Sequence, residues 1–295
     1  MGGKVSQESL LSSESLVAAY LQLLRRPLAA PTLSTLPLST TLPLRDASRP
    51  CALLLSPHPD DECLTGILPL RLLREQNWQI INIAVTLGSN RDRRAGRRDE
   101  LAKACAVLGF VCVLPEEDGF SGVNVATRER DPALWERMVA RLGTMIAQLQ
   151  PQLIIMPHAA DYNATHMGTH GLGLDALASL GRDFTCAVAL TEYWQPMGEP
   201  NVMVGASEKD AAALLSALSC HAGEVARNPF DRHFPAHLID NVRRGGEKLS
   251  GQGTAGANMD FASLYKLGIW LNGKFVPSAL KRLVGERENI GALFE

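Results

Sequence analysis

The chain has 295 residues, 46% hydrophobic and 20% charged, the balance of a globular protein with ample length for a buried core. Against 31 aspartates and glutamates stand 29 lysines and arginines, a formal charge of −2, so no global field recruits nucleic acid or an anionic membrane. No apolar run approaches the roughly 18 residues of a membrane span, the six cysteines form no C-x-x-C pair, and the N-terminus lacks a signal-peptide pattern; the chain reads as soluble and cytoplasmic, with reduced thiols.

Residues 1–14 are polar and read as a frayed terminus. Over 15–26 the apolar positions Leu16, Ala19, Tyr20, Leu23 and Leu24 recur at helical spacing. The stretch 27–50 is rich in Pro, Ser, Thr and Leu, which disfavours a helix and offers no strand alternation. Its regular leucines suit an extended arm draped over its own domain or over a second subunit, with a flexible linker as the alternative. Residues 1–50 thus form an N-terminal helix and arm ahead of a main domain at 51–295, and the arm is the candidate route to a homo-oligomer.

At 52–55 a short apolar run stops at Ser56-Pro57 and gives way to His58, Asp60, Asp61 and Glu62. Such a run, ended by turn residues, reads as a buried strand, and the polar cluster falls at its C-terminal end, where open α/β sheets keep their ligand crevices. Imidazole and carboxylate are ligand types for zinc and similar divalent ions, and a His-x-x-Asp spacing lets one turn aim both at a single ion. Asp60 is then free to act as a base. Capping of the following helix by Asp60 or Asp61 is the bland alternative, but capping needs neither the histidine nor so many acids. Cys63 reads as a packing residue.

Further along, the spacing predicts a helix over 62–76, a strand over 79–87, a helix over 93–108 stopped by Gly109, a strand over 111–114, a helix over 132–149 and a strand over 153–156. Alternation of this kind builds βαβ units, so the expected fold is α/β: a three-layer αβα sandwich around a Rossmann-like, mostly parallel sheet. Arg91, Arg93, Arg94, Arg97 and Arg98 crowd the loop and helix start after the second strand, bordering the same crevice. The loop after Met156 holds His158, Asn163, His166 and His170. Zinc needs a third ligand while keeping a position open, and this loop is its natural source. His166 and His170, four apart, share a helix face, and local spacing does not separate them; His158 reads as structural. Strands are expected at 187–194 and 201–205 and a helix at 207–220, closed by His221. His233 and His237 read as surface residues, and the aromatic-rich 261–270 as a packing segment or capping hairpin. Neither a Walker motif nor G-x-G-x-x-G after a strand is present, nor a serine nucleophile elbow.

The run Ser56-Pro57-His58-Pro59-Asp60-Asp61-Glu62 with Gly66 resembles the HPDDE signature of the LmbE/PIG-L family of zinc-dependent N-deacetylases. The resemblance implies His58 and Asp61 as metal ligands and Asp60 as general base. Asn163-Ala164-Thr165-His166 lines up with the family's His-x-Asp-His run, which makes His166 the third ligand and His170 the runner-up. Asn163 and Thr165 depart from that run. Asn163 can donate a hydrogen bond to an oxyanion but cannot shuttle a proton, so Asp60 is left with both proton transfers. Arg97-x-x-Glu100-Leu101, ending in Leu108-Gly109, resembles a family helix whose arginine contacts substrate, and Asp118-Gly119 a family position near it, with an ordinary turn as alternative. His221 matches a family histidine behind the ligands, although Ala222-Gly223 replaces the usual Ser-Gln. The implied activity is removal, with Zn2+ or another divalent ion, of an N-acetyl group from a small N-acylated substrate, an amino sugar or its conjugate. A deacylase of a non-sugar amide and a non-catalytic metal- or sugar-binding scaffold are the alternatives.

Overall fold

The apolar run at 51–56 has no polar side because the strand it forms is covered on both faces. In the computed structural model, which describes residues 11–35, 37–251 and 259–294, β1 (Cys51–Ser56) is buried at every position. Ala52 and Leu54 point into one core, Cys51, Leu53 and Leu55 into the other, the period-2 alternation of a strand. β2 (Gln79–Ala84) and β4 (Leu153–Pro157) flank β1 in parallel, β3 (Val111–Val113) extends the sheet beyond β2, and β5 (Cys186–Thr191) beyond β4. The chain therefore builds outward from β1 in one direction and then returns to its other side. Loops after β1 and β4 diverge at that switch point and open a crevice between them.

Helices α3 (Ile67–Gln76), α4 (Arg94–Leu108), α8 (Glu208–Leu218) and α10 (Phe230–Ser250) cover one face, and α6 (Pro132–Leu149) and α7 (Ala164–Ser179) the other. The sheet is mostly parallel and mixed, the three-layer αβα sandwich expected. One short helix not expected from sequence, α5 (Val125–Arg130), precedes α6. Among the described residues no helix is long and apolar enough to cross a membrane.

Three expectations are corrected. The stretch 62–76 is not one helix: α2 (Asp61–Leu64) ends before Gly66, whose φ of +89° breaks the path into α3. Tyr265, reaching across from the tail, donates its hydroxyl to the Thr65 carbonyl at 2.7 Å and accepts the Leu68 N–H at 3.0 Å, satisfying groups the break exposes. A Cβ on Gly66 would stand 2.2 Å from Ser263 Oγ. Gly66→Ala is expected to cost about 2–4 kcal/mol in chemical denaturation, from backbone strain plus overpacking; Ser263→Gly in the same chain should recover the packing part.

The tail is not a cap. β7 (Phe261–Leu271) enters the sheet antiparallel between β5 and β6 (Val202–Ala206), and β8 (Lys274–Pro277) and β9 (Arg282–Val284) extend from β7 and β6. His237 is not a surface residue either: it sits half-buried on α10, a helix where the sequence suggests only a polar segment, while His233 is exposed.

The arm covers its own body. Ser39 pairs with Val113 and accepts Leu114 N–H at 3.0 Å, Arg141 donates to the Thr40 carbonyl at 3.3 Å, and Leu38 and Leu42 pack on the two cores. Ahead of it, α1 (Ser13–Arg25) has no buried residue and rests against α10, Arg232 donating to the Leu24 carbonyl at 3.2 Å. The reading of the terminus as frayed falls, for residues 1–10, outside the described residues.

Candidate active site

Beyond β1 the chain turns so tightly that the Asp61 carboxylate folds back to accept the His58 backbone N–H at 2.9 Å. This fixes both side chains of the His-x-x-Asp pair toward one point. Asp60, between them, takes φ +115°, a conformation that Asp and Asn bear better than other side chains. Its N–H is held by Glu62 Oε2 at 2.9 Å, and Glu62 Oε1 accepts from His221 Nε2 at 2.6 Å. Glu62 and His221 are both buried. The base position is thus tied through Glu62 to a histidine at the start of α9 (Ala222–Val225), 159 residues away in the chain.

From the β4 side, Asn163 caps α7 by accepting Thr165 N–H at 2.8 Å, and the first turn of that helix delivers His166. His166 Nε2 lies 3.2 Å from Asp61 Oδ2 and 3.2 Å from His58 Nδ1, and His58 Nδ1 lies 3.4 Å from Asp61 Oδ2. These three edges match a face of a tetrahedron: metal–ligand distances of 2.0–2.2 Å put ligand atoms about 3.3 Å apart. The donor set, two imidazoles and a carboxylate with a fourth vertex left over, fits zinc or a similar divalent ion. The other nitrogen of His166, Nδ1, is buried without a hydrogen bond among the described residues and faces Asp161 Oδ2 at 3.6 Å. Asp161 is itself held by Asn163 and Trp194 N–H at 2.8 and 3.2 Å. A carboxylate behind a ligating histidine is the usual device for fixing its tautomer.

Charge follows from this packing. Burial opposes ionisation of Asp61, but His166 and His58 outweigh it and hold the carboxyl well below the usual range. Burial likewise works against a charged His166, yet Asp61, joined by Asp161, pushes the imidazole up to about 10. For Asp60 burial dominates and the Asp61 and Glu62 carboxylates add to it, raising the carboxyl well above the ordinary value against the pull of Arg97.

His58, Asp60 and Asp61 open onto a cavity of about 490 Å³ that Asn163, Thr165 and Arg97 also line. Arg97 reaches the carbonyls of Pro59 and Leu87 at 3.2 and 3.4 Å and Glu224 at 3.7 Å, which braces the Asp60 loop while leaving the guanidinium at the cavity wall. Arg93 and Arg227 also bond Glu224, whose carboxyl they keep low despite burial. Two residues singled out from sequence do not join this group. Asp118 is 63% exposed, pairs with Arg98 and Arg94, and lines a neighbouring cleft. His170, one turn beyond His166, hydrogen-bonds the Pro157 carbonyl through Nδ1 at 2.8 Å and borders a pocket with Arg128 and Trp135. His158 bonds the Gln195 carbonyl at 2.8 Å, the structural role expected of it. Sequence reading missed Asp161 and the tie from Glu62 to Asp60; the acid five residues before His166, in a histidine-bearing loop, was the available signal. Trp194 and Phe230, which also line the cavity, carried none.

No curated protein matches the chain in sequence. Among solved structures it is similar to a conserved protein, TT1542, from Thermus thermophilus, with TM-score 0.53 and 19% identity over 72% of this chain and 92% of that one. It is similar to GalB, the 4-carboxy-2-hydroxymuconate hydratase from Pseudomonas putida, with TM-score 0.57 and 15% identity over 74% and 95%. A third likeness is to the A40926 pseudoaglycone deacetylase Dbv21, with TM-score 0.53 and 16% identity over 77% and 99%. At these identities the likenesses establish the fold. Residues 53–177 match the sequence model described as PIG-L, GlcNAc-PI de-N-acetylase. That segment, a little under half of the chain, contains the HPDDE stretch and His166.

Proposed function

We propose that the chain is a metal-dependent hydrolase that removes an N-acyl group from an amide, with N-acetylated amino sugars and their conjugates as the first substrate class to examine. The observation that carries this reading is the triangle of His58, Asp61 and His166 with Asp60 facing the same cavity. The match to a de-N-acetylase family over 53–177 supports the reaction class, and the deacetylase Dbv21 shares the fold. The hydratase GalB shares it too, so the fold alone does not select the reaction.

When bound, a divalent ion at the triangle polarises the amide carbonyl and acidifies a water molecule. The protein's own part is positional and protonic. Asp60 takes the proton of the attacking water and returns it to the departing amine; a buried carboxyl with its affinity for protons raised is suited to the second task. Asn163 spends its side-chain oxygen on the helix cap and keeps its amide N–H groups for an oxyanion. Arg97 and the other arginines at the wall suit hydroxyl or anionic groups on the amine half. Asp161 orients His166, so Asp161→Asn should weaken zinc binding by about 10–100-fold in a competition titration against a chelator.

The decisive experiment is metal analysis of purified protein followed by an amine-release assay over N-acetylated sugars and amino-acid conjugates. Release that depends on added metal supports the reading. A protein that holds metal but releases no amine from the whole panel is a scaffold, and the hydrolase reading fails.

A further inference from the structure

Beside the large cavity lies a smaller one of about 160 Å³, and Trp194 and Phe230, their rings 4.8 Å apart, line both. Leu64, Glu192, Tyr193, His233, Phe234 and His237 complete it. Two of its lining residues neighbour the ligand triangle: Leu64 ends α2, three residues after Asp61, and the Tyr193 ring meets His166 edge-on at 4.8 Å. The two spaces differ in chemistry. Arginines, asparagines and the acids of the site face the larger one; aromatic side chains dominate the smaller, whose one carboxylate, Glu192, is paired with Arg244 at 2.6 Å.

An amide whose carbonyl meets the triangle must send its two substituents apart. A hydroxylated or charged amine half finds most of its partners in the polar cavity, with its arginines and asparagines, which leaves the mainly aromatic one to the acyl group. Acetyl would occupy little of it: at about 30 Å³ per water-sized group, the space takes roughly five methylenes. We propose that the pocket walled by Trp194, Phe230 and Phe234 binds the acyl chain of the substrate, and that the chain preferred is a straight one of about six carbons, not acetyl. The proposal rests on the hydrolase reading of the same site.

The test compares N-acetyl-, N-butyryl-, N-hexanoyl- and N-decanoylglucosamine, with the hexyl glycoside of N-acetylglucosamine as a control for an apolar group on the amine half. With the metal-loaded protein, kcat/KM is expected to rise about three- to fourfold per methylene up to hexanoyl and to fall for decanoyl. His233→Trp, at an exposed position on the pocket rim, and His237→Trp, deeper in it, should each lower the hexanoyl-to-acetyl ratio at least tenfold; two variants guard against one failing to fold. A readout without turnover is quenching of tryptophan emission in metal-free protein by hexanoate but not by acetate, lost in Trp194→Phe. Turnover of the acetyl compound with a hexanoyl-to-acetyl ratio of one or less overturns the acyl pocket and leaves the hydrolase reading standing. A gain confined to the hexyl glycoside assigns the pocket to the amine half and also overturns it. If no N-acylglucosamine is turned over and hexanoate leaves the emission unchanged, both readings fall together.

Discussion

Asp60→Asn should lower amide hydrolysis by about 10²–10⁴-fold, the range of a lost general acid–base, while leaving metal content unchanged. Asparagine is the informative replacement because Asp60 sits at φ +115°, where alanine would add backbone strain of its own. The amide keeps the size of the carboxyl and the bond from the Asp60 N–H to Glu62, and removes only the ability to take and return a proton. The fold should not suffer. Burial and two neighbouring carboxylates already disfavour a charge at this position, so the variant's denaturation midpoint is expected at or above that of the parent. A variant that keeps its metal and retains more than a tenth of the parent kcat/KM would remove Asp60 from the chemistry.

Metal uptake should displace a proton from His166. In the metal-free chain this imidazole, pressed between Asp61 and Asp161, is pushed up to about 10 and is charged at neutral pH. A metal ion needs the neutral ring, so binding at pH 7 is expected to release close to one proton, and apparent affinity to climb with pH until about 10. Calorimetric titrations in buffers of different ionisation enthalpy count that proton directly. The stability of the metal-free protein follows the same group with a definite sign. The folded value lies above the unfolded one of about 6.5, so the contribution is complete below that pH and is lost as pH rises through about 10. His166→Ala removes one vertex of the triangle. Zinc affinity should then fall by more than the 10–100-fold that accompanies loss of a residue behind a ligand, and no proton should be released.

Where the determinants were contiguous, the sequence could be read. The strand that ends at Ser56 and the turn that follows it place His58, Asp60 and Asp61 without any long-range information, and the helix expected over 132–149 is found at those residues because Asp131 caps it and Gln150, in a left-handed conformation, stops it. His166 and His170 could not be told apart by spacing. Their difference is one helical turn, and it is the cap at Asn163 that decides which of them meets Asp61. Side chains that arrive from elsewhere left no local trace of their partners. The resemblance singled out His221, but nothing near it names Glu62, 159 residues away, and Phe230 and Trp194 meet only because α10 packs beside the chain that follows β5. β7 was hidden for a related reason: its strand pattern is legible, but nothing near it says that it belongs between two strands made much earlier.

That late insertion sets a schedule for the molecule's own manufacture. Every residue of the triangle is available once α7 has left the ribosome, yet β5 and β6 then present bare hydrogen-bonding edges to each other across a gap that only Phe261–Leu271 can fill. Throughout that interval the nascent chain carries two sticky margins, and a polypeptide released short of Leu271 keeps them permanently. Premature termination anywhere in the last tenth before that point should therefore yield aggregates retained in the pellet, even though the residues for chemistry are all present.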